Sequence, residues 1–248
     1  MDYIRIIPSL LLSNKKLIKG VNFKNFKNAG SPLSTITALD SQGADEISIM
    51  DVDTYLNENL EPDYEIIKKI SEVSSTPITY GGGIKNIDIA KKVVRLGIEK
   101  IYLNRAILKN IKIINDLTKY FGGQALVAGI NLEYIKGKYK IFEDETNKID
   151  IIKHLTDIQY SGIGEIKVTF VNREGKKNGL DLKFTKYLMK HIRVSSIFEG
   201  GIATLDQLEA AFKENLNAVG LGTMLVFSDY NIVKIKRHLH NKGFRVRL

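Results

Sequence analysis

One short pattern occurs twice in this chain of 248 residues and limits its fold more than any other feature. Tyr80-Gly81-Gly82-Gly83-Ile84 and Phe198-Glu199-Gly200-Gly201-Ile202 are both short strand ends that run into a glycine loop, 118 residues apart (positions 84 and 202). Each copy leads into a helical pattern, Lys85 to Leu96 and Ala203 to Lys213. Each then reaches a second strand end with small residues, Leu103-Asn104-Arg105-Ala106 and Leu221-Gly222-Thr223-Met224, at the same offset of 118 (positions 103 and 221). With small shifts the likeness extends further. Gly43-Ala44-Asp45-Glu46-Ile47 matches Gly162-Ile163-Gly164-Glu165-Ile166, and Ile6–Leu11 lies opposite Leu126–Asn131. Residues 1 to about 122 and about 123 to 248 read as two equivalent halves.

Eight short β-branched runs are expected as strands: Ile4–Leu11, Glu46–Val52, Pro77–Tyr80, Lys100–Leu103, Leu126–Ile130, Glu165–Phe170, Ser196–Phe198 and Ala218–Leu221. Amphipathic segments separate them. Tyr64, Ile66, Ile67, Ile70 and Val73 have helical spacing, as do Ile151, Ile152, Leu155 and Ile158. Strands that alternate with helices form parallel βαβ units. The expected fold is α/β, a single (β/α)8 TIM barrel over residues 1–248 built from two (βα)4 half-repeats, and the length suits one such domain. An open Rossmann-type sheet also fits the alternation. It lacks an early G-x-G-x-x-G and leaves the half-repeat unexplained. Two long connections stand out, Ser13 to Ser34 and Asn131 to Asn147. The second, rich in Lys, Tyr and Glu, reads as a hairpin-like excursion.

Composition excludes several function classes. No apolar run reaches membrane-spanning length, and Met1-Asp2-Tyr3-Ile4-Arg5 lacks the layout of a signal peptide. The chain has no cysteine, which removes disulfide and thiol chemistry and fits a cytoplasmic location. Four scattered histidines without cysteine argue against a structural zinc site, and no metal or cofactor is expected. The formal charge is +9, with lysines spread over helix faces and loops. That pattern reads first as a solvated surface and second as attraction for anionic substrates. A nucleic-acid interface needs a basic stripe with stacking aromatics, and none is visible.

In a (β/α)8 barrel the carboxyl ends of the strands carry the chemistry. All four repeated strand ends fall there. Backbone N–H groups of glycine loops and helix starts bind phosphate oxygens, and glycine permits close approach. Gly82, Gly83 and Asn104 in the first half, and Gly200, Gly201, Gly222 and Thr223 in the second, are expected to hold two phosphates across the mouth. The expected ligand is a long phosphorylated small molecule.

At this point a family resemblance becomes specific. Ile6-Ile7-Pro8-Ser9-Leu10, Lys19-Gly20-Val21-Asn22-Phe23, Asn28-Ala29-Gly30, Gly43-Ala44-Asp45-Glu46, Gly81-Gly82-Gly83-Ile84, Asn172-Arg173-Glu174-Gly175 and Asn178-Gly179 resemble, in order, the cyclase subunit of imidazole glycerol phosphate synthase. The resemblance covers essentially the whole chain. It implies a glutaminase subunit docked on the amino-terminal face, ammonia moving through the barrel, and a bis-phosphate substrate at the opposite face. It adds Gly175 to the phosphate set and gives Lys19 and Glu174 catalytic places. It also makes Arg5, Glu46, Lys100 and Glu165, at four strand starts, the charged gate of the ammonia passage. An ordinary set of strand-end salt bridges is the plainer account of those four.

The chain departs from the family where the ring-closing acids belong. The first aspartate position holds Leu11 and the second holds Asn131, and neither exchanges protons near neutral pH. The family's arginine after strand one is Lys27. Glu199 replaces a small residue beside the second glycine loop, and is expected to place negative charge against a phosphate there. A retained passage without cyclase acids resembles the cyclase-like proteins of bacterial surface-sugar pathways. There the barrel and a glutaminase supply ammonia to a sugar amidotransferase. Three alternatives stand beside that reading: an authentic cyclase of histidine biosynthesis, a member of the isomerase sister family, and a non-catalytic phosphate-binding protein.

Overall fold

The computed structural model describes residues 3–144, 146 and 148–248. Eleven strands form one sheet: β1 Arg5–Ser13, β2 Lys16–Val21, β3 Lys24–Gly30, β4 Ile47–Asp51, β5 Ile78–Gly81, β6 Lys100–Leu103, β7 Leu126–Ile135, β8 Lys138–Ile141, β9 Glu165–Phe170, β10 Ser195–Glu199 and β11 Ala218–Leu221. Eight of them are parallel neighbours in the order β1, β4, β5, β6, β7, β9, β10, β11. The pairing Arg5↔Ala218 through Pro8↔Leu221 returns β11 to β1 and closes the barrel. The expected (β/α)8 barrel is therefore the observed fold, with four barrel strands in each sequence half.

Eleven helices follow the strands: α1 Pro32–Ser41, α2 Val52–Leu56, α3 Tyr64–Glu72, α4 Ile87–Arg95, α5 Arg105–Lys109, α6 Lys112–Phe121, α7 Ile151–Tyr160, α8 Leu182–Met189, α9 Leu205–Lys213, α10 Thr223–Val226 and α11 Ile232–Asn241. Their starts are legible in the sequence. Asp63, Asn86, Asp150, Asp181, Thr204 and Asn231 each cap a helix through a side-chain oxygen. Apolar faces such as Ile66, Ile67 and Ile70 then seal against the outward strand residues. None of these helices is long and apolar enough to cross a membrane.

Both long connections differ from plain loops. The segment expected as a loop from Ser13 is a hairpin. β1 runs on past Leu11 to Ser13, turns at Asn14-Lys15, and continues as β2 and β3. Both turn residues have positive φ (48° and 58°), the geometry a two-residue hairpin turn requires. Asp53 fastens the turn, accepting from Ser13 Oγ (2.6 Å) and from the Asn14 amide (2.6 Å). The fifth barrel strand, β7, likewise extends to Ile135 and folds back as β8 through Lys136-Gly137. The hairpin-like excursion expected there is observed.

Inside the barrel, alternate residues of each strand face the axis. Tyr102 projects inward from β6, and the neighbouring strands make room with glycine. A methyl group at Gly129 would overlap the Tyr102 hydroxyl, and one at Gly81 would overlap its ring. Gly129→Ala should accordingly destabilise the protein by about 1–3 kcal/mol through overpacking. Tyr102→Leu in the same chain should recover most of that loss in a urea titration.

Candidate functional site

The base of the barrel carries the four charged residues expected there, and they touch. Lys100 Nζ lies 2.6 Å from Glu46 Oε2 and 2.8 Å from Glu165 Oε2. Arg5 Nη1 lies 3.4 Å from Glu46 Oε2, and Arg5 Nη2 pairs closely with Glu165. The two carboxylates are buried and the two cations partly so. Thr79 Oγ1 donates to Glu46 Oε1 (2.7 Å), and Ser195 Oγ donates to Glu165 Oε1 (2.9 Å). The result is a closed ring of alternating sign across the bore. Burial opposes the Lys100 ammonium, but Glu46 and Glu165 outweigh it and raise its pKa. Burial also opposes the Glu165 carboxylate, and Arg5 and Lys100 outweigh it and lower its pKa.

At the opposite face a cavity of about 500 Å³ opens at the strand ends. Leu11, Lys19, Gly82, Gly83, Asn104, Asn131 and Glu174 all line it. The positions expected to be catalytic and the first-half glycine loop thus meet in one place. Gly82 and Gly83 adopt φ of 132° and 67°, which only glycine takes without strain. The β2–β3 hairpin arches over this cavity. It contributes Phe23 and Phe26 to the wall, and Phe23 meets Phe142 edge-on at 5.6 Å. The Asn22 amide donates to the Glu174 carbonyl (3.0 Å), fastening the hairpin to the loop after β9. Lys27 points away, exposed on β3.

The second phosphate loop is arranged otherwise. Gly175, Gly200, Gly201, Gly222 and Thr223 do not line the cavity. The 173–179 segment packs onto that loop: the Gly179 amide donates to the Gly201 carbonyl (2.9 Å), and Arg173 donates to the Gly179 carbonyl (3.0 Å). Lys19, paired with Glu174 at 2.6 Å, fills the space against Gly222. One glycine loop, not two, opens on the cavity.

Glu199 also departs from expectation. It does not face the phosphate loop. In parallel pairing with Thr169 and Gly220 its side chain turns into the bore, and Thr169 Oγ1 donates to Glu199 Oε1 (3.0 Å). Its Oε2 lies 3.0 Å from Lys167 Nζ. Burial opposes the charge of Glu199, and the Lys167 ammonium prevails and lowers its pKa. Sequence reasoning missed Lys167. The available signal was the period-two series Glu165, Lys167, Thr169, three polar residues on the inward face of one strand.

The carboxylates that do line the cavity are engaged. Asp51 caps α2 through the amides of Asp53 (2.9 Å) and Thr54 (3.2 Å) and accepts from Tyr80 Oη (2.8 Å). Burial raises its pKa. Glu58 pairs with Arg105 (3.1 Å) and Lys109, Glu174 with Lys19, and Glu199 with Lys167. At the two positions where the resemblance implies aspartates, the wall is Leu11 and Asn131.

The family model described as histidine biosynthesis protein matches residues 5–231. The chain belongs to this histidine biosynthesis protein family. The match spans both half-repeats and nearly all of the barrel. In this chain the barrel combines a closed charged ring at the base, one glycine loop open on the cavity, and Leu11 and Asn131 on the cavity wall.

Proposed function

We propose that this chain is the synthase-side, ammonia-conducting barrel of a glutamine amidotransferase system. In this reading a glutaminase docks on the amino-terminal face and releases ammonia against the ring of Arg5, Glu46, Lys100 and Glu165. The ammonia serves a separate sugar amidotransferase of surface-glycan synthesis, and the barrel itself closes no imidazole ring. The first glycine loop, Gly82 and Gly83 with Asn104, receives the phosphate of a small-molecule ligand.

The observation that supports the reading is the ring. Burying two carboxylates under two cations is costly, and apolar residues of similar volume are often as stable or more so. A barrel needing only stability fills that layer with Val, Ile or Leu. A closed ring of opposite charges suits a constriction that a small neutral molecule passes and an ion does not. Its combination with Leu11 and Asn131 at the mouth separates conduction from ring closure.

Docking is measured by sedimentation of the chain mixed with a glutaminase of the same family's synthase. A one-to-one complex is expected, burying at least the ~1,200 Å² of a stable interface. Glutamate substituted for Tyr3, an exposed residue at the base under Arg245 and Arg247, should weaken it. Absence of any complex at micromolar concentration overturns the reading.

A further inference from the structure

The floor of the cavity is a second charged constellation that gate and mouth leave unused. Lys167 is 1% exposed and crosses the bore from β9. Its Nζ donates to Ser9 Oγ on β1 (3.0 Å) and to Ser48 Oγ on β4 (3.2 Å), and stands 3.0 Å from Glu199 Oε2 on β10. In the order of barrel strands, β9 and β4 are opposite one another, so this side chain spans the barrel. Tyr102 closes the space beside it, its ring centroid 5.6 Å from the ammonium. A methyl group at Gly220 would overlap Glu199, so the glycine is what admits the carboxylate to the bore.

The cavity ends at these residues. Ser9, Lys167, Glu199 and Tyr102 line it. Ile7 and Ile197, each the next inward residue toward the base on its strand, do not, and with Ala218, the register partner of Arg5, they form a small apolar cluster apart from the main core. Below them comes the base ring. From base to mouth the bore therefore holds a charged closure, an apolar segment and a second charged closure.

We infer that Lys167 and Glu199, flanked by Tyr102, form an inner gate in series with the base ring, which opens when the Lys167 side chain leaves Ser9 and Ser48. This rests on the ammonia-passage reading. It adds a physical reason for selectivity: an ammonium ion pays the full desolvation of an unpaired charge in the apolar segment between the gates, and neutral ammonia does not. The lysine is not placed as a nucleophile. Its amine is held by a carboxylate and two hydroxyls.

The chain has no cysteine, so a single introduced thiol reports on access to the bore. Ile197→Cys puts one between the two gates, on β10 between Ser195, which bonds Glu165 of the base ring, and Glu199. It is treated with methyl methanethiosulfonate, a small neutral reagent. The thiolate sulfur bonds to the methylthio sulfur and methanesulfinate leaves. With both gates intact the reaction should be slow, limited by local opening. Adding Lys167→Ala with Glu199→Ala should accelerate it by about tenfold or more, because the crossing side chains are gone. Lys167→Met with Glu199→Gln, which keeps the volume, should leave it near the parent rate. Near-UV circular dichroism checks the fold. If the alanine pair does not fold, Tyr102→Leu and the Ser9→Ala/Ser48→Ala pair are used instead, with acceleration again expected.

An unchanged rate in these opened variants overturns the inner gate. Lys100→Ala should also accelerate the reaction, since it opens the segment from the base, and adding the opened inner gate to it should accelerate it further. The assay uses this chain by itself. Acceleration without any glutaminase complex would leave the inner closure standing and remove the passage reading. Intact glutamine coupling with no acceleration would do the reverse.

Discussion

Purified protein supplied with ammonium salts and the bis-phosphate substrate of the family's cyclase should produce no imidazole ring above background. General acid–base catalysis contributes about 10²–10⁴-fold for each participating group. Both groups are missing, because Leu11 and Asn131 stand at their positions on the cavity wall. The remaining carboxylates offer no substitute. Glu174 is bound to Lys19, Glu199 to Lys167, and Asp51 to the start of α2 and Tyr80. The loss should persist at saturating substrate, since it concerns the chemical step. Leu11→Asp with Asn131→Asp should restore at most a trace. Full recovery also requires positioning by Lys19 and the loop after the first strand. Turnover near that of active family members would refute this account of the site.

A second large effect concerns the barrel interior. Lys167→Met alone should destabilise the fold by about 3–5 kcal/mol, because it leaves Glu199 buried without its cation. Adding Glu199→Gln should recover most of this, since the cost lies in the uncompensated charge. The dependence on pH has a definite sign. In the native protein the Glu199 pKa is lowered, so its stabilising contribution is present above the ordinary glutamate range and fades as pH falls through the folded value. Without Lys167 its cation is gone and burial raises that pKa. The single variant is then least destabilised in acid and progressively worse as pH rises above the ordinary range. Urea titrations between pH 4 and pH 8 separate this from simple loss of packing, which would be nearly independent of pH.

The closed barrel was legible in the sequence because its strands are short, β-branched and placed at matching positions of two halves. The base ring was legible through the family resemblance, which singles out Arg5, Glu46, Lys100 and Glu165 at strand starts, where inward side chains of opposite charge can pair. Lys167 was overlooked because one lysine inside a strand of a lysine-rich chain shows its direction only when read with Glu165 and Thr169 at the same alternation. Its meaning comes from Ser9, Ser48 and Glu199, on three other strands. Glu199 was misplaced because its neighbours in sequence form the glycine loop, whereas strand alternation turns its side chain into the bore. The β1–β2 turn was hidden because Asn14-Lys15 takes positive φ without a glycine to mark it. The contact between Gly179 and Gly201, which fastens the 173–179 segment to the second loop, is encoded by no local pattern.

The central claim, that ammonia reaches its acceptor through this barrel, is tested most directly by nitrogen origin. The chain, its glutaminase and the sugar amidotransferase are supplied with glutamine labelled with ¹⁵N at the amide and a large excess of unlabelled ammonium. Mass spectrometry then reads the nitrogen in the amidinated product. Passage through the bore predicts product enriched in ¹⁵N well above the share of label in bulk ammonia, and Lys100→Ala, which breaks the base ring, should lower that enrichment. Product carrying label only in the bulk proportion with the unaltered chain would contradict the account.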